Sequence, residues 1–524
     1  MKSRTVDISH EHYDGFGFIF GGSGLHLSDG TSVLIEGQAG VGKTVFALQM
    51  ACRYLEKLCE EDAAEYVLYY SFEQDASVLQ SLIKSFNDFA TQADICICPE
   101  DPQHTFVPQK LHMISRPTGD DLSTFIDNMT QRITKNPSCA LVVLDSIGYF
   151  DRKEGDPRRD QLDRLCNRAR EGEYAIIIVR EKEPSAAAAV AEYITDNVFE
   201  LQLKPINPAL SYGPQVRTIE IKKSRAQKSL RGPHEFEIKE DTGVLIFPSP
   251  DSVFPRSGEK GGEPCPLLKV FEGDGEALLR KQLERFEMGQ PNRDSGDRQK
   301  TIQSGLRAGE CLLLYGDPGS LKTAFGFNFL RIALESADEA CIFVTFKIDA
   351  RALEGISTTY LDKKEYAEWQ RRNIFIDARQ TFWTPARVLS EIRYAVLRTR
   401  GKDRKRPLQR AVVFGLGMID KLPAFQGQEL TFLQVLISYF ESQGISAIFI
   451  DWPQEARQSQ LNFESIVNYF STTIERVKPR NGDSGDLFVR VTRHQFRVAN
   501  NETLRISEER IKGRRALKIE KLTD

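Results

Sequence analysis

The sequence has no apolar run approaching the ~18 residues that a membrane-spanning helix needs. Its first stretch, MKSRTVDISHEHYDG, turns polar at once, so no secretory signal peptide is expected. It has no excess of one charge: 70 Lys and Arg stand against 74 Asp and Glu, a net charge of -4 over 524 residues. That balance excludes a globally basic nucleic-acid coat and an acidic disordered protein, while leaving room for local basic patches. Cysteine is sparse and odd in number, nine scattered along the chain, which argues for reduced thiols rather than a disulfide framework. Only Cys96 and Cys98 are close, and a lone C-x-C lacks the second half of a zinc site. Strand packing is the expectation there, and a cytoplasmic location for the whole protein.

What the chain does have is a copy of itself. VLIEGQAGVGKTVFALQMACRYL at 33–55 is matched by LLLYGDPGSLKTAFGFNFLRIAL at 312–334, which puts Lys43 and Lys322 279 residues apart. Each is an aliphatic run, a Gly-rich turn, a Lys-Thr pair and then apolar residues at helical spacing. Three more segments recur in the same order: YVLYYSFEQD with CIFVTFKIDA, ALVVLDSIG with RAVVFGLGM, and AIIIVREKEPS with AIFIDWPQEAR. A duplicated domain of roughly 250 residues follows, too long a period for a solenoid. The Pro, Gly and Ser-rich stretch PSPDSVFPRSGEKGGEP has linker chemistry. The expected organisation is therefore one domain at 1–247, a linker at 248–265 and a second domain at 266–524. Strands alternating with helices in both halves predict α/β domains, each a mainly parallel sheet flanked by helices.

The first half carries a nucleotide motif. Gly37-Gln38-Ala39-Gly40-Val41-Gly42-Lys43-Thr44 fits G-x-x-x-x-G-K-[ST]. Glycines let such a loop wrap closely around phosphates with its N–H groups turned inward, and the following helix adds its positive end. Lys43 is expected to reach the β- and γ-phosphates and the Thr44 hydroxyl to ligate Mg²⁺. The strand LVVLD ends in Asp145, placed to complete the Mg²⁺ shell. The strand YVLYYSFE ends in Glu73, a carboxylate that can orient and deprotonate an attacking water.

Together GQAGVGKT, SFEQ, VVLDS, VREKE, EYITDNVFEL and RTIEIKKSRAQKSLRGPHEFEI resemble the KaiC-like branch of the RecA-type P-loop ATPases, over nearly the whole chain as two tandem lobes. The resemblance implies Mg²⁺-ATP binding and hydrolysis. In that family two adjacent acids stand at the SFEQ position; here Gln74 replaces the second, which implies slow turnover on Glu73 alone. A Lys and an Arg two residues apart on the family's closing strand reach a neighbouring subunit's phosphates, and Lys223 and Arg225 match that spacing. A homo-oligomer, a hexameric ring, is the corresponding expectation. Clock-type members phosphorylate a Ser-Thr pair in the second lobe. Ser471-Thr472-Thr473, however, lies opposite an ordinary strand start in the first, and the long tail of clock members is not seen after LRISEERIKGRRALKIEKLTD. A circadian role is not expected.

The second half keeps the pattern without the chemistry. In Gly316-Asp317-Pro318-Gly319-Ser320-Leu321-Lys322-Thr323, Leu321 replaces the second motif glycine, and a Leu disfavours positive φ. Lys322 and Thr323 remain and could still hold a nucleotide. Gly415 stands at the counterpart of Asp145 and Lys347 at that of Glu73. A pseudo-ATPase lobe, structural or regulatory and open to a protein partner, is expected.

Two alternatives stand beside this reading. A DNA-dependent, recombinase-type ATPase would need phosphate-binding surfaces. Residues 152–170 mix seven basic with four acidic residues, and GKDRKRPLQR has five basic residues and one Asp. Neither interleaves the aromatics of a single-strand stacking platform. A non-catalytic scaffold stabilised by ATP is disfavoured by the two carboxylates of the first lobe.

Overall fold

The computed structural model describes every residue except 1–2, 10–13, 86–93, 99–103, 116–120, 151–158, 183–192, 207–213, 226, 241, 251–308, 316–319, 332–338, 362, 380–382, 401–407, 453–469, 471, 477–486, 495–502, 512–513 and 522–524. Most of the expected linker, the first four residues of the second Gly-rich loop, the start of 152–170, most of GKDRKRPLQR and Ser471 thus lie outside the described residues. The chain folds as two units, Met1–Ser252 and Val253–Asp524.

In the first unit the elements run β1 (Ser3–Val6), α1 (Gly15–Ile19), β2 (Leu25–Ser28), β3 (Ser32–Gly37), α2 (Lys43–Glu60), β4 (Tyr66–Ser71), α3 (Ala76–Ser85), β5 (Ile95–Ile97), β6 (Leu111–Ser115), α4 (Leu122–Lys135), β7 (Cys139–Asp145), α5 (Arg159–Glu171), β8 (Ala175–Glu181), β9 (Asn197–Pro205), β10 (Gln215–Ser224), β11 (Pro233–Lys239) and β12 (Gly243–Phe247). Ten strands form one sheet in the order β12-β11-β10-β9-β3-β8-β7-β4-β6-β5, parallel from β9 to β5 and antiparallel from β9 to β12.

The central strands are mainly apolar on both faces, as strands of a parallel sheet covered by helices are. Alternation then sorts their side chains between two cores. Val33, Ile35, Val67, Tyr69, Leu141, Val143 and Ile177 join Phe46 and Leu55 of α2 on one face. Leu34, Leu68, Tyr70, Val142, Leu144, Ile176 and Ile178 join Phe125 and Ile126 of α4 and Leu165 of α5 on the other.

The second unit contains β13 (Cys311–Tyr315), α6 (Ser320–Arg331), β14 (Ala340–Thr345), α7 (Ala350–Tyr360), α8 (Lys363–Arg372), β15 (Asn373–Asp377), α9 (Pro385–Arg400), β16 (Leu408–Phe414), α10 (Glu429–Gln443), β17 (Ser446–Trp452), β18 (Thr472–Arg476), β19 (Leu487–His494), β20 (Thr503–Ile511) and β21 (Arg514–Lys521). Its nine-stranded sheet runs β15-β14-β16-β17-β13-β18-β19-β20-β21. The run β18-β13-β17-β16-β14-β15 repeats β9-β3-β8-β7-β4-β6 strand for strand, all parallel. The duplication visible in the sequence is thus a duplication of topology. Thr472 opens β18, the counterpart of β9, as an ordinary strand start.

Candidate nucleotide-binding site

Because β3, β4, β7 and β8 are parallel, their carboxyl ends deliver Gly37, Ser71, Asp145 and Glu181 to one edge of the first sheet. The Gly-rich loop 38–42 leaves β3 there and feeds α2, which starts at Lys43. Gly40 (φ +73) and Gly42 (φ +109) hold left-handed backbone that side chains rarely adopt. At Gly42 a Cβ would also lie 2.4 Å from Ile238 Cδ1 of β11. Gly42→Ala therefore carries roughly 1–3 kcal/mol of backbone strain. It is expected to lower the melting temperature and to abolish nucleotide binding in a fluorescent-nucleotide titration. Unchanged affinity would show that the left-handed turn is dispensable.

Lys43 is buried, and its Nζ donates to the carbonyls of Gly37 (2.8 Å) and Gln38 (2.9 Å). Burial pushes its ammonium below the usual lysine range, against the pull of Glu181, Asp145 and Glu73. The three acids that act on Lys43 thus come from the ends of β8 and β7 and from just beyond β4.

From Leu141 on, the odd-numbered side chains of β7 face α2, so Asp145 lands on the same side as Val143 and meets the first turn of α2. Thr44 Oγ1 donates to Asp145 Oδ1 at 3.3 Å. Tyr69, which shares that face from β4, donates from its hydroxyl to Asp145 Oδ2 at 2.7 Å. Burial lifts the Asp145 carboxyl to about 6, with the Tyr69 and Thr44 hydrogen bonds opposing the shift. A hydroxyl and a carboxylate are the hard oxygen donors that Mg²⁺ takes alongside phosphate and water, so this pair fits that ion.

Glu73 lies two residues beyond β4 and is exposed. Its position is fixed by its neighbours. Phe72 N donates to Asp145 O at 2.8 Å, and Ser71 Oγ donates to Gln74 O at 2.8 Å while accepting from Gln74 N at 3.2 Å. The Phe72 ring is wedged against Phe125 and Phe150. Glu73 acts electrostatically on both Lys43 and Asp145.

Lys223 and Arg225 are not brought to this edge. The carboxyl end of β10 pairs with the start of β9, Ser224 opposite Asn197, and Asn197 lies beside Val33 at the start of β3. Four residues of strand, ~13 Å at ~3.3 Å each, separate that level from Gly37. Lys223 Nζ donates to Tyr193 O (2.9 Å) and Thr195 O (2.5 Å). Arg225 donates to Tyr193 O (2.9 Å) and pairs with Asp196 (3.3 Å).

Sequence reasoning passed over two groups. Tyr69 was one more aromatic in a buried strand, and nothing in YVLYYS singles it out. Glu181 ends an aliphatic strand just as Asp145 does, and it stands opposite Gly37 in register.

In the second unit, two strand registers locate the lost carboxylates. Ser71 pairs with Asp145 and Thr345 with Phe414; Phe72 N donates to Asp145 O and Phe346 N to Phe414 O, both at 2.8 Å. The counterpart of Asp145 is therefore Phe414, one residue before the Gly415 that sequence alignment alone assigns. Lys347 occupies the place of Glu73, its Nζ 6.0 Å from the centre of the Phe414 ring. Gly415 is held at φ +84, and a Cβ there would fall 2.6 Å from Lys347 Cβ. Helix α6 already includes Ser320 and Leu321, so a helical turn stands where Gly42 makes its left-handed one. Lys322 is fully buried and Thr323 half-buried.

A Gly-rich strand-to-helix loop, with a buried lysine at the start of the helix and an acid on a parallel strand two places along the sheet, defines a RecA-like P-loop protein, here with that sheet order repeated in a second unit. The family model described as the KaiC ATPase matches residues 14–251 and 298–477. The chain belongs to that family. It is similar to the circadian clock oscillator protein KaiC of Parathermosynechococcus lividus, 28% identical over 258 residues, 47% of this chain and 43% of the relative. To the protein of that name from Synechococcus elongatus it is 26% identical over 261 residues, 47% and 44%. A longer match, 354 residues at 22% identity, covers 65% of this chain and 60% of the Prochlorococcus marinus oscillator protein KaiC. The first two matches span less than half the length of those relatives. Among the described residues, no helix is long and apolar enough to cross a membrane.

Proposed function

We propose that the first unit binds Mg²⁺-ATP and hydrolyses it slowly to ADP and phosphate, while the second is a structural or regulatory pseudo-ATPase. The observation that carries this reading is the convergence of Lys43, Thr44, Asp145 and Glu73 at one edge of the first sheet, the acids held by backbone and side-chain hydrogen bonds. Inward-facing amides of residues 38–44 and the Lys43 ammonium would bind the phosphates. Thr44 and Asp145 would hold Mg²⁺, which when bound neutralises charge on the phosphate oxygens. Glu73 orients a water and takes its proton as the water oxygen attacks the γ-phosphorus. A single base, with Gln74 beside it, supports slow turnover.

In the second unit a lysine and an aromatic ring stand where the two acids stand in the first. Neither Mg²⁺ ligation nor proton abstraction is available from that pair. Because Lys223 and Arg225 sit far from their own phosphate loop, the phosphates they would serve are a neighbour's. A homo-oligomer, a hexameric ring as in the family, follows from that reading, with ATP favouring assembly by mass action.

The test is phosphate release from the full chain with and without single-stranded DNA. Mg²⁺-dependent turnover unchanged by DNA is expected. Strong stimulation by DNA would replace this reading with a recombinase-type one, and tight ATP binding without any turnover would replace it with a scaffold.

A further inference from the structure

At the opposite end of the sheet order from β12, the edge strand β5 lies against β6 with Cys96 opposite His112. Cys98 N extends the pairing by donating to Met113 O at 2.8 Å. Side chains two apart on a strand share a face. Cys96, Cys98 and His112 therefore point the same way. Residues 104–107 lie against that face. Phe106 packs on the rings of Tyr66 and His112, their centres 5.0 and 4.9 Å away. Asn136, at the end of α4, ties the segment down by donating to His104 O and accepting from Phe106 N, each at 3.3 Å. His104 arrives beside the other three.

One donor atom from each of Cys96, Cys98, His104 and His112 lies within 4.8 Å of all the others. The Cys98 Sγ to His112 Nδ1 distance is 3.2 Å. Around a tetrahedral zinc, with Zn–S ~2.3 Å and Zn–N ~2.0–2.1 Å, donors stand roughly 3.3–3.8 Å apart. No pair would have to close by more than about an ångström. The His112 ring is held in place with Nδ1 beside Cys98 Sγ. Its Nε2 is engaged by Val107, whose N–H donates to it at 3.0 Å and whose carbonyl lies at 2.9 Å, so Nδ1 is the ring nitrogen turned to the cluster; ligation through Nδ1 puts the proton on Nε2, donated to Val107 O. The Nε2 atom of His104 is buried and meets no hydrogen-bonding group among the described residues. Nothing in the nucleotide chemistry uses these four residues.

We propose that Cys96, Cys98, His104 and His112 form a structural zinc site at the edge of the first sheet. Two thiolates and two imidazoles make the borderline-soft S₂N₂ set that suits Zn²⁺ and not the hard Mg²⁺ of the nucleotide site. Four protein ligands leave no open position, so the site is structural. On binding, each thiol loses its proton to solvent and the zinc complex is neutral overall, which a half-buried site tolerates. The ion fastens the segment carrying His104 to a three-residue edge strand that, among the described residues, pairs with β6 alone. The counterpart of β6 in the second unit, β15, is itself the edge strand there.

The test uses the full-length chain purified without chelator. About one zinc per chain is expected by elemental analysis, retained against excess Mg²⁺ and nucleotide. Cys96→Ser and His104→Gln, at half-buried positions, should each lose most of that zinc, whereas Thr44→Ala should keep it. Reconstitution with Co²⁺ should give the visible bands of a tetrahedral thiolate site in the wild type. That readout stands even if a variant fails to fold. Wild-type protein that is isolated without zinc and shows no such cobalt spectrum would overturn the proposal. So would a full complement of zinc in both folded variants.

Discussion

Glu73→Gln is expected to stop phosphate release while nucleotide stays bound. The substitution keeps the length and shape of the side chain and removes only the ability to accept a proton. The neighbours that place it, Phe72 on the Asp145 carbonyl and Ser71 on Gln74, make their bonds through backbone or through Ser71 and are untouched. General-base catalysis contributes typically about 100- to 10,000-fold, and a fall of that size is the expected effect on turnover. Affinity for a fluorescent ATP analogue should hardly change, because Lys43, Thr44 and the loop amides remain. If turnover survives, the base is misassigned or the second unit hydrolyses ATP. Adding Lys43→Ala separates these outcomes: turnover that then persists comes from the second unit, and turnover that is lost came from the first.

Asp145→Asn should make the nucleotide-free protein more stable at pH 8 and less able to use Mg²⁺-ATP. The Asp145 carboxyl titrates at about 6 against an ordinary 3.8 because it is buried. A raised folded-state value means that the native state holds the proton more tightly than the unfolded chain does. The cost of ionising it is therefore absent below about pH 4, grows as pH rises, and is complete above about pH 6. At ~1.36 kcal/mol per unit, that cost is about 3 kcal/mol. Asn carries no charge and keeps an acceptor for the Tyr69 hydroxyl. The expected result is a melting temperature about 5–10 °C above wild type at pH 8, with the gap closing near pH 4. Adding Mg²⁺-ATP should reverse the order, because only the wild type gains the ligand's stabilisation. A variant that melts below wild type at pH 8 would show that the ionised carboxylate is compensated in the apo protein.

This same residue shows why a strand end can be read from sequence but its surroundings cannot. LVVLD announces an acid at the end of a buried strand. That the acid faces α2 follows from the odd–even alternation, and only once β7 is known to run parallel to β4 with Ser71 opposite Asp145. Tyr69 then becomes its hydrogen-bond donor. Nothing local to Tyr69 distinguishes it from Tyr70, whose ring packs on Phe125 across the opposite face. The one-residue displacement from Gly415 to Phe414 has the same origin. Two aliphatic strands can be slid past each other in an alignment at little loss, whereas hydrogen-bond register admits one solution.

Cys96 and Cys98 make the contrast sharpest. Along the chain they are a C-x-C without a partner, because His104 and His112 follow at spacings that no common zinc pattern carries. Parallel pairing of β5 with β6 puts Cys96 beside His112, and the loop anchored by Asn136 brings His104 to them.

The sequence by itself determined the duplication, the alternation of strands and helices, the Gly-rich loop with Lys43 and Thr44, and the absence of carboxylates from the second copy. Each is written in local pattern, in the chemistry of neighbours a few residues apart. Tertiary structure alone decided which strand ends share an edge, which face Asp145 and Tyr69 occupy, that Lys223 and Arg225 lie far from their own phosphate loop, and that two cysteines and two histidines meet. Those are contacts between residues distant in sequence. They are fixed by strand order and register, which the packing of the whole sheet selects and no short segment encodes.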